Sequence, residues 1–304
     1  MEQLDHIRLH FNQDSLLLLN ICVGFVMFGV ALELTLDDFK KLGGHPKSLI
    51  VGLVSQFFLL PALTFLLILL IDPWPSVALG MLLVAACPGG NISNFMSLLA
   101  KGNAALSVSL TAFSTLAALV MTPFNFAFWG KLYASTNDHL STISLDPLAM
   151  FQTIVLVVGI PLLLGMWFAT QYPGFTQNIR KPIKILSLLI FAGFIIGAFS
   201  ANFDIFLNYI HFIILIVLVH NAVAFAGGYY FGKAFSLPLA DTKAIAIETG
   251  IQNSALALVL IFDFFDGLGG MAITAGWWGI WDILSGLALA SLLARMEVKE
   301  KVVS

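Results

Sequence analysis

The sequence predicts an all-α polytopic membrane protein of about nine transmembrane helices, and three observations carry that prediction. Of the 304 residues 59% are hydrophobic and only 10% are charged, with a mean hydropathy of +0.96. Soluble domains carry about a quarter charged residues, so lipid is the solvent for most of this chain. The apolar residues gather into runs of the roughly 20 residues that a helix needs to cross a bilayer core. The basic residues then sort to one side of those runs.

Read between charge and Pro/Gly breaks, the runs lie near 15–35, 46–71, 75–99, 103–129, 147–170, 182–201, 206–234, 240–263 and 268–295. Several linkers are short, and Asp72-Pro73-Trp74-Pro75 and Gly267-Leu268-Gly269-Gly270 carry turn chemistry. No room is left for a soluble domain. With the N-terminus outside, the inside segments hold Lys40, Lys41, Lys47, Lys101, Arg180, Lys181, Lys184, Lys233, Lys243, Arg295, Lys299 and Lys301, which is 12 of the 14 basic residues. Only Arg8 and Lys131 fall outside, where Asp14, Asp72, Asp138, Asp146, Asp204, Asp263 and Asp266 gather. Positive charge marks the cytoplasmic side, so the N-terminus is expected outside and the C-terminus in the cytoplasm. Trp74, Trp129, Trp167, Trp277 and Trp278 lie near run ends, where an interfacial belt would place them as anchors.

Other classes recede on the same composition. A net charge of −3 gives no footprint for nucleic acid. Cys22 and Cys87 lie in apolar runs, against a disulfide framework or a zinc site. The chain opens on Met-Glu-Gln-Leu-Asp, with no basic n-region and no small-residue cleavage site, so the first run is expected to act as its own insertion signal.

Polar groups at membrane depth are costly unless they face protein, water or an ion. One such place is Cys87-Pro88-Gly89-Gly90-Asn91-Ile92-Ser93-Asn94, inside an apolar run. Two glycines and a proline do not sustain a helix, and irregular backbone at that depth must be buried in protein or line a cavity. A half-helix starting near Ser93 would aim free N–H groups at that cavity, a natural place for an anion. A second is Glu248-Thr249-Gly250-Ile251-Gln252-Asn253-Ser254, also in mid-run. Glu248 has no basic residue at comparable depth, which points to a bound cation or a proton as its partner. Softer signals are Ser107, Thr111 and Ser114, which share one helix face, and the lone amide of Gln56. Taken alone, both read as ordinary interhelical contacts.

Two interrupted spans in corresponding halves are the pattern of an inverted-repeat secondary transporter. Carbonyl, hydroxyl, amide and carboxylate oxygens suit Na+, whereas transition metals favour imidazole or thiolate. No Gly-x4-Gly-Lys-Ser/Thr loop provides for ATP. An intramembrane enzyme would need a nucleophile–base or metal constellation such as His-Glu-x-x-His, and a signalling receptor would need a cytoplasmic domain; the sequence has neither. The chain therefore does not read as an enzyme.

At these residues the sequence resembles the bile acid:sodium symporter family. The matching stretches are 28–39 (Phe-Gly-Val-Ala-Leu-Glu-Leu-Thr-Leu-Asp-Asp-Phe), the 87–94 break continuing through 101–111, and 248–254. The resemblance runs from about residue 25 to the C-terminus. Ten-helix bacterial members carry one further N-terminal span, which this chain is expected to lack. The resemblance implies one transporter domain over 1–304, with panel helices at about 15–35 and 147–201 and core helices at about 46–129 and 206–295. Two broken helices would cross in the core. It implies one Na+ site from Ser93, Asn94, Ser107, Thr111 and Glu248, and a second from Gln56, Glu248, Gln252 and the carbonyls of Thr249 and Ile251. On this reading Gln56 and the hydroxyl stripe become ligands. Substrate would lie at the crossing, near Asn91, Asn253, Asp282 and the free half-helix N-termini.

The implied activity is Na+-coupled symport of a small organic anion (bile acid-like, pantoate-like or 2-oxo acid) by alternating access. About two Na+ ions would couple, with no further cofactor, nucleic acid or obligate protein partner, in a plasma membrane, for a bacterium the inner one. A proton-coupled or uncoupled exporter on the same fold is the alternative, with Glu248 carrying the proton. Asp282 stands where some bacterial relatives have His-Asn; its carboxylate could repel an anion, bind a proton or pair with a nearby hydroxyl. His220-Asn221 echo the family too and read as interhelical hydrogen bonding.

Overall fold

The computed structural model describes residues 2–9, 13–32, 46–133 and 147–300. Most of the 28–39 stretch, with Lys40 and Lys41, and the 134–146 loop lie outside the described residues. Among the described residues eleven helices follow a short 3-10 turn at Glu2–Asp5: α1 Gln13–Ala31, α2 Pro46–Ile71, α3 Pro75–Ala86, α4 Ile92–Leu99, α5 Ala104–Leu132, α6 Pro147–Gln171, α7 Pro173–Ala201, α8 Phe203–Ala234, α9 Leu239–Gly250, α10 Ser254–Phe264 and α11 Gly269–Glu300. No strand occurs among the described residues. Among the described residues five helices (α2, α5, α6, α8 and α11) are long and apolar enough to cross a membrane. Their outward faces carry Leu70, Leu156, Leu163, Leu215 and Phe58 to solvent-accessible positions, as a lipid-facing surface requires.

Local chemistry sets the ends. Proline opens α2, α3, α6 and α7, where its missing N–H costs nothing and its fixed φ suits a first turn. Asp72 closes α2 in the left-handed conformation, donating its N–H to Ile68 O at 2.8 Å. The predicted 75–99 run is α3 and α4 separated by residues 87–91, and the predicted 240–263 run is α9 and α10 separated by residues 251–253. Both expected breaks are present. The expected start at residue 182 is corrected: α7 begins at Pro173 and carries Pro182 inside it.

Two features have no sequence signal. α2 and α6 each contain a π turn, Ser55–Leu59 and Val155–Gly159, followed at once by Pro61 and Pro161. A π turn holds one residue more than an α turn. In α2 the freed Phe57 carbonyl accepts from Asn125 Nδ2 at 3.0 Å. The helices form two groups that also touch each other: α1 packs on α6 and α7, and α3, α5, α8, α9, α10 and α11 pack among themselves, with α5 resting on α6 and α10 on α1. The N-terminal residues cover one end of the second group: Leu4 is buried, Asp5 Oδ1 caps α3 through Ser76 N–H at 2.8 Å, and residues 7–9 pair with the 267–269 turn.

Candidate ion and substrate site

The two breaks cross as short extended peptides. Cys87 and Ile251 both leave their helices in extended conformations. Gly90 N–H donates to Ile251 O and Asn253 N–H to Pro88 O, both at 2.9 Å, with Gly89 facing Gln252 in an antiparallel bridge. Backbone groups stripped of helical partners thus satisfy one another, which low-dielectric surroundings demand. The approach is close: a Cβ on Gly90 would sit 2.9 Å from Gln252 O, and one on Gly89 would run into the Glu248 carboxylate. Helix α5 supports the first break, where Thr122 Oγ1 donates to Ala86 O at 2.7 Å.

Glu248 is only 2% exposed, at the end of α9 beside this crossing. Its Oε2 accepts from Ser93 Oγ at 2.6 Å and its Oε1 from Thr111 Oγ1 at 2.8 Å. The Ser107 hydroxyl lies 3.3 Å from Oε2 and 2.9 Å from Asn94 Oδ1. The structure therefore gathers Ser93, Asn94, Ser107, Thr111 and Glu248 from three elements into one cluster. Ser114 does not belong to it, because its hydroxyl turns back to Thr111 O at 3.1 Å.

A second cluster adjoins the first. The π turn of α2 presents Ser55 and Gln56 to the crossing. Gln56 Nε2 donates to Gln252 Oε1 at 2.7 Å and to Cys87 O at 3.0 Å, while Gln252 Nε2 donates to Thr249 O at 2.8 Å. Ser55 and Thr249 share a hydroxyl bond of 2.8 Å. Gln56, Thr249 and Gln252 are thus brought together, while the Ile251 carbonyl accepts from Gly90 N–H at 2.9 Å. Glu248 bonds to the hydroxyl cluster alone and makes no hydrogen bond to Gln56 or Gln252 among the described residues.

The proposed substrate residues divide. Asn91 is partly exposed at the head of α4, and its side chain makes no capping bond. Asn253 caps α10, accepting from Leu256 N–H at 3.1 Å, and its Nδ2 lies 3.9 Å from Met27 Sδ on α1. Asp282 is 3% exposed and pairs with no hydroxyl: Oδ1 accepts from Asn221 Nδ2 at 3.2 Å and Oδ2 from Gln252 N–H at 3.0 Å. At the second half-helix the N–H groups of Gln252, Asn253, Ser254 and Leu256 are engaged within the protein, which narrows the set expected to be free.

His220 and Asn221 make the interhelical bonds read from sequence, to Thr64 Oγ1 at 2.7 Å and Gly250 O at 2.8 Å. Trp278 departs from the anchor reading, because it is fully buried with its ring 4.6 Å from that of His220. Lys243, counted with the inside segments, is 1% exposed in the first half of α9 and donates to Ala100 O at 3.2 Å, five residues before Glu248. Ser55 went unnoticed in sequence, although its adjacency to Gln56 was the available signal.

Chemically, the clusters offer hydroxyl, amide, carbonyl and carboxylate oxygen. No group of three or more His, Cys, Asp or Glu able to hold a metal occurs among the described residues. This donor set fits a hard, weakly hydrated monovalent cation carried as cargo.

A family profile described as the sodium bile acid symporter family matches residues 20–209. The chain is 32% identical over 283 residues to the "Uncharacterized sodium-dependent transporter YocS" of Bacillus subtilis (strain 168), covering 93% of this chain and 84% of that one. It is 33% identical over 243 residues to the "Probable sodium/metabolite cotransporter BASS1, chloroplastic" of Arabidopsis thaliana, covering 79% and 57%. Against the "Sodium/bile acid cotransporter 5" of Rattus norvegicus it is 29% identical over 256 residues, covering 83% and 57%. The chain thus spans little more than half the length of the plant and rat relatives.

Proposed function

The chain belongs to the sodium bile acid symporter family, a family of sodium-dependent multi-pass membrane transporters rather than enzymes, and from that premise we propose that it couples about two Na+ ions to symport of a small organic anion. The observation that carries the proposal is the buried Glu248 carboxylate, ringed by Ser93, Ser107 and Thr111 at a crossing of two broken helices. Hydroxyls that now donate to the carboxylate can turn their O–H bonds away and offer lone pairs to a cation. Ser93, Asn94, Ser107, Thr111 and Glu248 form the first Na+ site on this reading. Gln56, Gln252 and the carbonyls of Thr249 and Ile251 form the second, with Glu248 swinging between the two sets. Substrate lies on the α1 side of the crossing, near Asn91 and Asn253, with Asp282 behind it. The relatives' names agree on sodium and differ on cargo, so bile acid-like, pantoate-like and 2-oxo acids all remain in the substrate class.

Transport then proceeds by alternating access. The α1, α6 and α7 group is the panel, and the remaining helices are the core that moves against it around the fixed site. In the membrane, α3–α4 and α9–α10 each make one broken crossing. With α1 and α7 they bring the total to nine spans of inverted-repeat character, N-terminus out and C-terminus in the cytoplasm of a plasma membrane, the inner membrane in a bacterium. Purified protein in proteoliposomes tests the function. An inward Na+ gradient should drive uptake of a labelled carboxylate, chosen as one that raises the melting temperature in Na+ but not in K+. A reporter fused after Ser304 should read cytoplasmic. Uptake driven equally by a proton gradient without Na+ would transfer the reading to the proton-coupled alternative.

A further inference from the structure

Asp282 is a second carboxylate at the crossing, and its surroundings differ in kind from those of Glu248. Glu248 faces hydroxyls, which can rotate to serve a cation. Asp282 faces N–H donors: the Gln252 backbone and the Asn221 amide. The Trp278 indole, one helical turn earlier on α11, is fully buried beside it. N–H groups cannot ligate a cation, so no neighbour bonded to Asp282 offers an ion an oxygen, unlike the hydroxyls around Glu248. No Lys, Arg or His side chain bonds to either carboxylate among the described residues. A buried carboxylate of this kind takes either a proton or an opposite charge nearby.

The geometry supplies a path to one. The N–H that Asp282 accepts belongs to the peptide unit between Ile251 and Gln252, and the carbonyl of that same unit is the Ile251 oxygen of the proposed second Na+ site. The peptide is thus held by a carboxylate at its N–H end and by Gly90 N–H at its C=O end at 2.9 Å, which leaves the second carbonyl lone pair for the ion position. A hydrogen bond from the N–H to an anion increases negative charge on the carbonyl oxygen, as carboxylates behind metal-bound histidines raise ligand basicity. Asn221 fixes the preceding carbonyl, Gly250 O, at 2.8 Å and so holds the peptide's orientation. By peptide dimensions, Asp282 and an ion on Ile251 O lie roughly 7 Å apart, close enough for substantial attraction in a buried site.

We propose that Asp282 is the counter-charge and positioning residue for the second Na+, acting through the Ile251–Gln252 peptide. Two carboxylates then balance two monovalent cations, and both ions bind without waiting for an anionic substrate. The inference rests on the symporter reading above.

The test is Na+ titration of the purified protein by thermal shift, without substrate, at constant ionic strength with K+ as replacement. Asp282→Asn keeps size and an acceptor for Gln252 N–H but removes the charge. It should raise the Na+ concentration for half-maximal stabilisation about tenfold and lower the Hill coefficient towards one. Asp282→Ser, which also accepts an N–H without charge, gives the same reading should the Asn variant fail to fold. Thr274→Val removes a buried hydrogen bond of α11 away from the crossing; it should lower the melting temperature in K+ while leaving the Hill coefficient near the wild-type value. Superimposable wild-type and Asp282→Asn titrations overturn the proposal. So do equal changes in the Na+ titrations of Asp282→Asn and Thr274→Val, which would reduce the effect to lost stability. A wild-type protein indifferent to Na+ is a different failure, because it removes the symporter reading and this inference with it.

Discussion

Glu248→Gln is expected to abolish Na+-induced stabilisation and Na+-driven uptake together, while the protein still folds. The amide preserves volume, and its oxygen still accepts from one hydroxyl. Its N–H2 group, however, meets the Ser93 or Thr111 oxygen as a donor and contributes no charge. A site built from neutral oxygens alone is left to desolvate Na+, a poor exchange for the ion's hydration shell. The loss should be at least two orders of magnitude in Na+ affinity, in keeping with the several kcal/mol at stake when one partner of a buried charge pair is removed. Thr111→Val provides the graded comparison. It keeps shape and deletes one ligand without touching charge, so the half-maximal Na+ concentration rises by several-fold and uptake survives at high Na+. A Gln variant that binds Na+ like the wild type in calorimetry would remove Glu248 from the ion site.

The second large effect is expected from a single methyl group. Gly89 lies in the first break, facing Gln252, and a Cβ there runs into the Glu248 carboxylate. The carboxylate cannot simply yield, because Ser93 and Thr111 hold it at 2.6 and 2.8 Å. Nor can the backbone, whose neighbour Gly90 is bonded across the crossing at 2.9 Å. Gly89→Ala should therefore cost about 1–3 kcal/mol of stability through overpacking and remove Na+ response almost completely. Gly193→Ala and Gly197→Ala on α7, where an added Cβ meets nothing within 4 Å, should fold as well as the parent or slightly better. The measurements are melting temperature in K+ and the Na+ titration. A Gly89→Ala protein with a normal titration would contradict the packing described here.

The helices and both breaks were legible in the sequence because lipid imposes a one-dimensional rule: long apolar runs cross, and Gly, Pro and carboxylate inside them must have a reason. Glu248 was legible by the same rule. What lay beyond it depends on three dimensions. That the breaks pair as antiparallel peptides, engaging some of the N–H groups once expected to be free for an anion, is a property of two distant segments meeting. Asp282 showed only that a carboxylate was present, because its donors come from α8 and the 251–253 break. Trp278 was misplaced because distance from a run's end does not distinguish a membrane interface from a protein interior. Pro182 misled in the opposite direction, reading as a boundary where the helix continues.

The π turn of α2 has a consequence for how this transporter tolerates change in length. Ser55–Leu59 holds one residue beyond the α-helical count, so the helix on either side is out of phase by about 100°, one residue's rotation. Gln56 reaches Gln252 across the crossing because of that offset. Phe58 within the turn points outward, 56% exposed, and its removal would break no contact in the ion site. Yet losing it would let the turn close into regular α-helix and rotate the stretch from Pro46 away from its partners. At this point the chain can accept many substitutions and no deletion: the surplus residue functions as a spacer, whatever its side chain.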